Sequence, residues 1–120
     1  MKPERAGEYV GHMIAAIDRI ATYLDGLDHG AFLESPMVQD AVIRNFEIIG
    51  EAARNAERQA PDVVTANPDI PWRYAKGMRN HLMRGYFNVD LEAVWATVQN
   101  DLPARRVQFV ALAEILGRQS

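Results

Sequence analysis

The stretch SPMVQDAVIRNFEIIGEAARNA, residues 35–56, decides the fold. Ser35 followed by Pro36 is a helix N-cap and a proline at the first helical position, where its missing N–H would have had no intrahelical partner anyway. Behind that start, Val38, Val42, Phe46, Ile49, Ala53 and Ala56 recur at three- and four-residue steps. This is the period of one helix face, and a helix apolar along one stripe must bury it against another element. The pattern fades before Pro61.

The same period continues outward in both directions. Val10, Met13, Ile14, Ile17, Ala21 and Leu24 predict a long first helix over about residues 5–26, closed by turn chemistry at Gly26, Asp28, His29 and Gly30. The span from Pro61 to Pro71 holds three prolines and reads as a connection, with a short helical turn at Asp62 to Ala66. Pro71 then opens a third helix, predicted to run to about Tyr86 and to be broken at Asn88-Val89-Asp90, with Asp90 capping the next. Leu91, Val94, Trp95, Val98 and Leu102 form the inward stripe of a fourth helix. Pro103 starts a last one, with Phe109, Leu112, Ala113 and Leu116 facing in and Gly117 ending it. No segment alternates apolar and polar residues long enough to be a strand. The expectation is an all-α fold, an antiparallel bundle of four to five helices in one domain over residues 1–120. Its long amphipathic helices suit a dimer.

Bulk properties narrow the function classes. At 120 residues, with 48% hydrophobic and 24% charged residues, the chain is ordinary globular material. It has no cysteine, so disulfides and thiolate metal sites are excluded. The N-terminus MKPERAGEYV lacks the apolar core of a signal peptide, and no stretch approaches the roughly 18 apolar residues of a membrane span. No metal constellation, phosphate-binding glycine loop or Ser-His-Asp order presents itself.

The net charge of -3 argues weakly against a general nucleic-acid binder, but the charge is segregated. Between Pro71 and Val89 stand Arg73, Lys76, Arg79 and Arg84 and no acid, so this window carries +4 and the remainder -7. The segment Gly77-Met78-Arg79-Asn80-His81-Leu82-Met83-Arg84-Gly85-Tyr86-Phe87 puts five side chains that can bond a phosphate or a base into eight positions. Two readings stand on spacing alone: a phosphate site, or an exposed polar helix face with Leu82, Met83 and Tyr86 packed inward. On the preceding helix Arg44 and Glu51 are seven apart and share a face. They suit a brace for the motif, a pair across a dimer, or an ordinary surface pair. Trp72 and Trp95 read as core anchors. His12 and His29 are isolated.

These residues carry a family resemblance. Arg44, Phe46 and Ile48-Ile49-Gly50-Glu51-Ala52 are followed by Pro68-Asp69-Ile70-Pro71-Trp72. Then come Gly77-Met78-Arg79-Asn80, Tyr86-Phe87-Asn88-Val89-Asp90, Val94-Trp95 and Asp101-Leu102-Pro103, all in order. Over about residues 8–117 the chain resembles the HepT-like branch of the HEPN superfamily. The resemblance implies a HEPN-like helical bundle acting as a homodimer, with motif helices facing across a cleft where two windows would total about +8. It implies a cytoplasmic toxin of a type VII-like toxin–antitoxin module: a metal-independent endoribonuclease on mRNA or tRNA, with no cofactor and no DNA or membrane partner. An MntA-type nucleotidyltransferase antitoxin is the implied partner, in a complex that can grow beyond the dimer, and it neutralises the toxin by transferring AMP to Tyr86. The branch carries Arg-x-x-x-x-His-x-Tyr. Arg79, Asn80 and Tyr86 match, but Arg84 stands at the His position. Lys76 and His81 are supporting candidates, and in a continuous helix His81 would lie roughly 300° from position 84. Arg84 stays protonated to above about pH 12, so it can hold a phosphate but not shuttle a proton. Reduced or absent cleavage follows. The alternative is a non-catalytic helical subunit that docks a nucleotidyltransferase.

Overall fold

The structure, a computed structural model, describes residues 3–84 and 88–119. Two long helices form its spine: α1 (Pro3–Leu24) and, after the short α2 (His29–Leu33), α3 (Pro36–Gln59). α1 makes its most extensive contact with α3 and its next with the last helix, α8 (Leu102–Gln119). Between them come α4 (Pro61–Ala66), α5 (Trp72–Lys76), α6 (Met78–His81), β1 (Met83–Arg84), β2 (Asn88–Val89) and α7 (Leu91–Asn100). The fold is all-α, apart from one two-residue antiparallel ladder.

The core is built as the apolar stripes require. Val10, Met13, Ile17 and Ile20 of α1 meet Val42, Phe46, Ile49 and Ala53 of α3, and Phe109, Leu112 and Leu116 of α8 join them, all buried. Each fully buried large side chain here contributes about 1.5–3 kcal/mol. The stripe on α1 sits slightly further round than its sequence suggests: Ala21 is exposed, whereas Ala6, Ala16 and Ile20 are buried. α1 also stops at Leu24, short of 26, and Gly26 makes the turn with φ of 78°, a left-handed conformation that glycine adopts without strain.

The caps follow local chemistry. Ser35 Oγ accepts from Val38 N at 3.4 Å, and Asp90 Oδ1 accepts from Ala93 N at 3.0 Å. Asp28, read from sequence as turn material, instead caps α2, accepting from Ala31 N at 2.8 Å. α2 was not foreseen; it buries Phe32, whose ring lies 5.5 Å from that of Trp95. Trp72 is an anchor as expected: it is buried, and its Nε1–H donates to Asn67 O at 3.1 Å.

Three expectations are corrected. The third helix does not run from Pro71 to Tyr86. It divides at Gly77 into α5 and α6 and ends at His81, and β1 then pairs antiparallel with β2, Met83 opposite Val89 and Arg84 opposite Asn88. The backbone N–H of Asp90 donates to Leu82 O at 2.7 Å and extends that pairing. The chain therefore contains strand residues after all. Last, Gly117 does not end the final helix, which runs on to Gln119.

Candidate functional site

The basic segment lies along one flank of α3, and the reason is steric first. Gly50 faces the end of α5: a Cβ there would sit 3.2 Å from Ala75 O and 3.3 Å from Lys76 O. A side chain at this position would make the two backbones give by a few tenths of an ångström, so glycine allows the closest approach. One turn further on, Arg54 Nη1 donates to Lys76 O at 3.0 Å and satisfies a carbonyl at the α5 terminus.

Acidic residues of α3 then meet the cations. Lys76 Nζ donates to both oxygens of Glu57 at 2.8 Å, and Arg79 Nε donates to Glu47 Oε2 at 2.9 Å. Glu51 accepts from Arg54 through Oε2 at 3.1–3.3 Å. It therefore does not pair with Arg44 within the chain, and Arg44 makes no hydrogen bond among the described residues. All these groups are partly solvated, so each pair adds little stability, about 0–1 kcal/mol. Their effect is positional: Arg79, on a helix of one turn, is held in one direction by a carboxylate on a rigid neighbour. They also lower the charge inferred from sequence, because two of the window's cations are already matched by Glu47 and Glu57.

Asn80 and His81 are exposed at the end of α6. The His81 ring lies 5.4 Å from the Tyr74 ring, and Arg105 stacks over the same tyrosine at 5.8 Å. Tyr74 donates its hydroxyl to Asp101 Oδ2 at 2.9 Å. Burial, and then that carboxylate, hold the phenol above its ordinary pKa. The angular argument against His81 fails, because no continuous helix joins it to position 84. Arg84 contributes its backbone to the ladder; its side chain, and all of Tyr86, lie outside the described residues.

The structure thus leaves Asn80 exposed and His81 beside Tyr74, and ties Lys76 and Arg79 through Glu57 and Glu47 to α3. Arg44 and Glu51 lie on that helix, lining a separate shallow cleft of about 150 Å³ with His12, Ile48, Ala52 and Asn55. Sequence reasoning missed Glu47, Arg54, Glu57 and Tyr74. A signal existed: Glu47 and Glu57 are acids on the helix whose Gly50 receives the basic segment, but only the fold tells which acids face it. Among the described residues no group of His, Asp or Glu could hold a metal ion, and no helix is long and apolar enough to cross a membrane.

Fold and site together define a small helical-bundle protein with a cationic polar segment strapped to its second long helix. Residues 13–111 match the family model described as "Ribonuclease HepT-like". The chain belongs to this ribonuclease HepT-like family. It is 36% identical over 105 residues to "Probable ribonuclease HepT" of Thermococcus cleftensis, covering 88% of this chain and 93% of that protein. It is 27% identical over 111 residues to a "Putative RNase" of Caldanaerobacter subterraneus, covering 92% and 94%. A Methanocaldococcus jannaschii protein named "Gamma-glutamylcyclotransferase and putative RNase" is 34% identical over 110 residues, 92% of this chain, but the chain spans only 48% of that relative. No solved structure matches the chain.

Proposed function

We propose that this chain is the toxin component of a type VII-like toxin–antitoxin module, a single HEPN domain over residues 1–120 that binds RNA and cleaves it poorly. One observation carries the reading. Arg79, paired with Glu47, is followed directly by the exposed Asn80 and His81, and Lys76 precedes it by three residues on the same basic segment. A guanidinium, an amide and an imidazole in one exposed segment suit a phosphodiester.

In RNA cleavage of this class, the ribose 2′-oxygen attacks the adjacent phosphorus while its proton passes to a base. The P–O5′ bond breaks, and the leaving oxygen takes a proton from an acid. Arg79 would offset charge on the phosphorane, with Asn80 donating to the same oxygens. Arg84 stands where the family's His belongs. Its guanidinium can add to the electrostatic hold but cannot give or take the proton. The loss of acid–base help is worth about 10²- to 10⁴-fold in rate. RNA is the expected ligand, a homodimer the working unit, and an MntA-type nucleotidyltransferase the partner. In that partnership the Tyr86 hydroxyl would bond to the α-phosphorus of ATP with release of pyrophosphate. The added phosphate would then compete with RNA for the cations of this segment.

The test compares the chain with Arg84→His for RNA binding and cleavage, with and without EDTA. The expected result is similar binding in both, and EDTA-insensitive cleavage at least 100-fold faster in the variant. Vigorous cleavage by the unaltered chain, or none by Arg84→His despite binding, counts against the reading. Intact mass after incubation with the partner and ATP tests Tyr86: AMP should be gained, and Tyr86→Phe should gain none.

A further inference from the structure

The corner of the bundle from the end of α1 through α2 to the start of α3 is acidic and apolar at once. From Ile20 to Ile43, between Arg19 and Arg44, stand Asp25, Asp28, Glu34 and Asp40 and no Lys or Arg, so this stretch carries -4. It is the counterpart of the basic window. All four acids are exposed. Asp28 caps α2, but Asp25, Glu34 and Asp40 make no side-chain hydrogen bond or ion pair among the described residues. Further along α3 the situation is different: Glu47, Glu51 and Glu57 each meet a cation. His29, the one other titratable base in the stretch, lies 2.9 Å from Glu92.

The same stretch holds Tyr23, Leu33 and Met37, three of the five large hydrophobic side chains that are exposed among the described residues, and Met37 is 81% exposed. Tyr23, Met37, Val38 and Ala41 line a cleft of about 230 Å³. Asp40 follows Met37 by three residues, on the same face of α3. Apolar surface rimmed by charge marks a contact site, and the flexible thioether of methionine suits such a surface. The corner is also built before any partner arrives. Gln39 Nε2 donates to Phe32 O at 2.9 Å and to Leu33 O at 3.1 Å, tying α2 to α3 beside the Ser35 cap. Little ordering is then needed on binding.

The sign of the charge selects the occupant. Four carboxylates repel RNA and anionic lipid. A two-fold contact of this corner with itself would set acid against acid. A helix with an apolar stripe and Lys or Arg beside it meets both the cleft and the acids. We infer that this corner is a docking surface for a basic amphipathic segment of a partner protein. The apolar residues of that segment enter the Tyr23–Met37–Ala41 cleft and cover Leu33, and its cations meet Asp25, Glu34 and Asp40. The surface shares no residue with the basic segment, so the inference stands whether or not the chain binds RNA.

The probe is a synthetic helical peptide with Leu along one face and Lys on the other, titrated at low salt into the isotope-labelled full chain and read by amide chemical shifts. Saturable binding is expected, with the shifts concentrated in residues 20–43. The same peptide with Glu in place of Lys should not bind. Met37→Ser should weaken binding about tenfold, by loss of buried apolar surface. Val107→Ser on α8, at a residue 70% exposed, should not. Asp25→Asn, Glu34→Gln and Asp40→Asn together should weaken it about three- to tenfold and remove most of its salt dependence. These side chains are exposed and unbonded, so an unchanged melting temperature will confirm folding. No binding, shifts centred outside residues 20–43, equal binding of the Leu–Glu peptide, or affinity unmoved by both Met37→Ser and the triple variant would each overturn the inference. Light scattering reads the rival occupant: self-association of the chain that Met37→Ser abolishes would mean that a second copy covers the corner, and the partner segment falls.

Discussion

The seam between α1 and α3 and the segment from Trp72 to Asp90 lie side by side but are held by different forces. The seam is apolar: Met13, Ile17, Val42, Phe46 and Ile49 are buried against one another over the length of two long helices. Its polar exception, the Arg19 Nε–H bond to the buried Asn45 Oδ1 at 2.7 Å, is satisfied a second time by Asn45 donating to Ala41 O at 2.9 Å. The segment has apolar anchors too, in Trp72, Ala75, Met78 and Leu82, but its elements are one turn or two residues long. It is kept in place by the Gly50 approach, the Arg54 bond to Lys76 O and two ion pairs. Burial supplies the stability of the molecule, and short polar ties fix where Lys76 and Arg79 lie.

Four changes should sharpen or break this contrast. Phe46→Ala removes a fully buried ring from the seam and should cost about 3–5 kcal/mol in urea unfolding, enough to threaten a domain of this size. Gly50→Ala pushes a methyl against the carbonyls of Ala75 and Lys76. The crowding opposes the gain of about 0.5–1 kcal/mol that alanine brings to a helix interior, so the net cost should be about 0–2 kcal/mol, with hydrogen exchange accelerating in residues 72–82 before it does in α1. If exchange rises uniformly, the two regions are one cooperative unit and the contrast fails.

Glu47→Gln should hardly move stability, by about 0–1 kcal/mol, but it frees Arg79 from a competing carboxylate. RNA affinity at low salt should therefore rise, read by a filter or anisotropy titration; a fall would mean that aiming Arg79 matters more than releasing it. The smallest effect concerns Asp18, which ties α1 to α8 through Arg106 Nε at 2.7 Å and Nη2 at 3.1 Å. The hydrogen bond to Arg106 holds its carboxyl below the ordinary range. A depressed folded-state pKa means that the contribution is present above the unfolded-state value, about 3.9, and is lost as pH falls through the lower folded-state value. Both groups are well solvated, so Asp18→Asn should leave neutral stability nearly unchanged and only flatten the acid limb of a melting-temperature profile. An unaltered acid limb would remove the pair from the account.

Legibility followed the same division. The first and second long helices, the Ser35 and Asp90 caps and most core residues could be read directly, because cap chemistry and apolar period are local. The motif segment could be recognised by its residues but not shaped. Trp72, Ala75, Met78 and Leu82 keep three- and four-residue spacing, so periodicity predicts a helix where the chain breaks at Gly77 and turns into a ladder. The Arg79 partner was invisible for a related reason: charge can be counted along a chain, but which carboxylate a guanidinium meets depends on how two helices are laid together.

By itself, then, the order of residues determined an all-helical bundle, its buried faces, and a basic segment from Pro71 to Val89 that carries no acid. Only the tertiary structure decided that this segment is bent in pieces along α3, with Arg79 on Glu47 and Lys76 on Glu57. The physical reason is range. Helix period and caps act over about four residues of one chain, whereas the close approach at Gly50 and the ion pairs join groups some twenty to thirty residues apart, which only folding brings into contact.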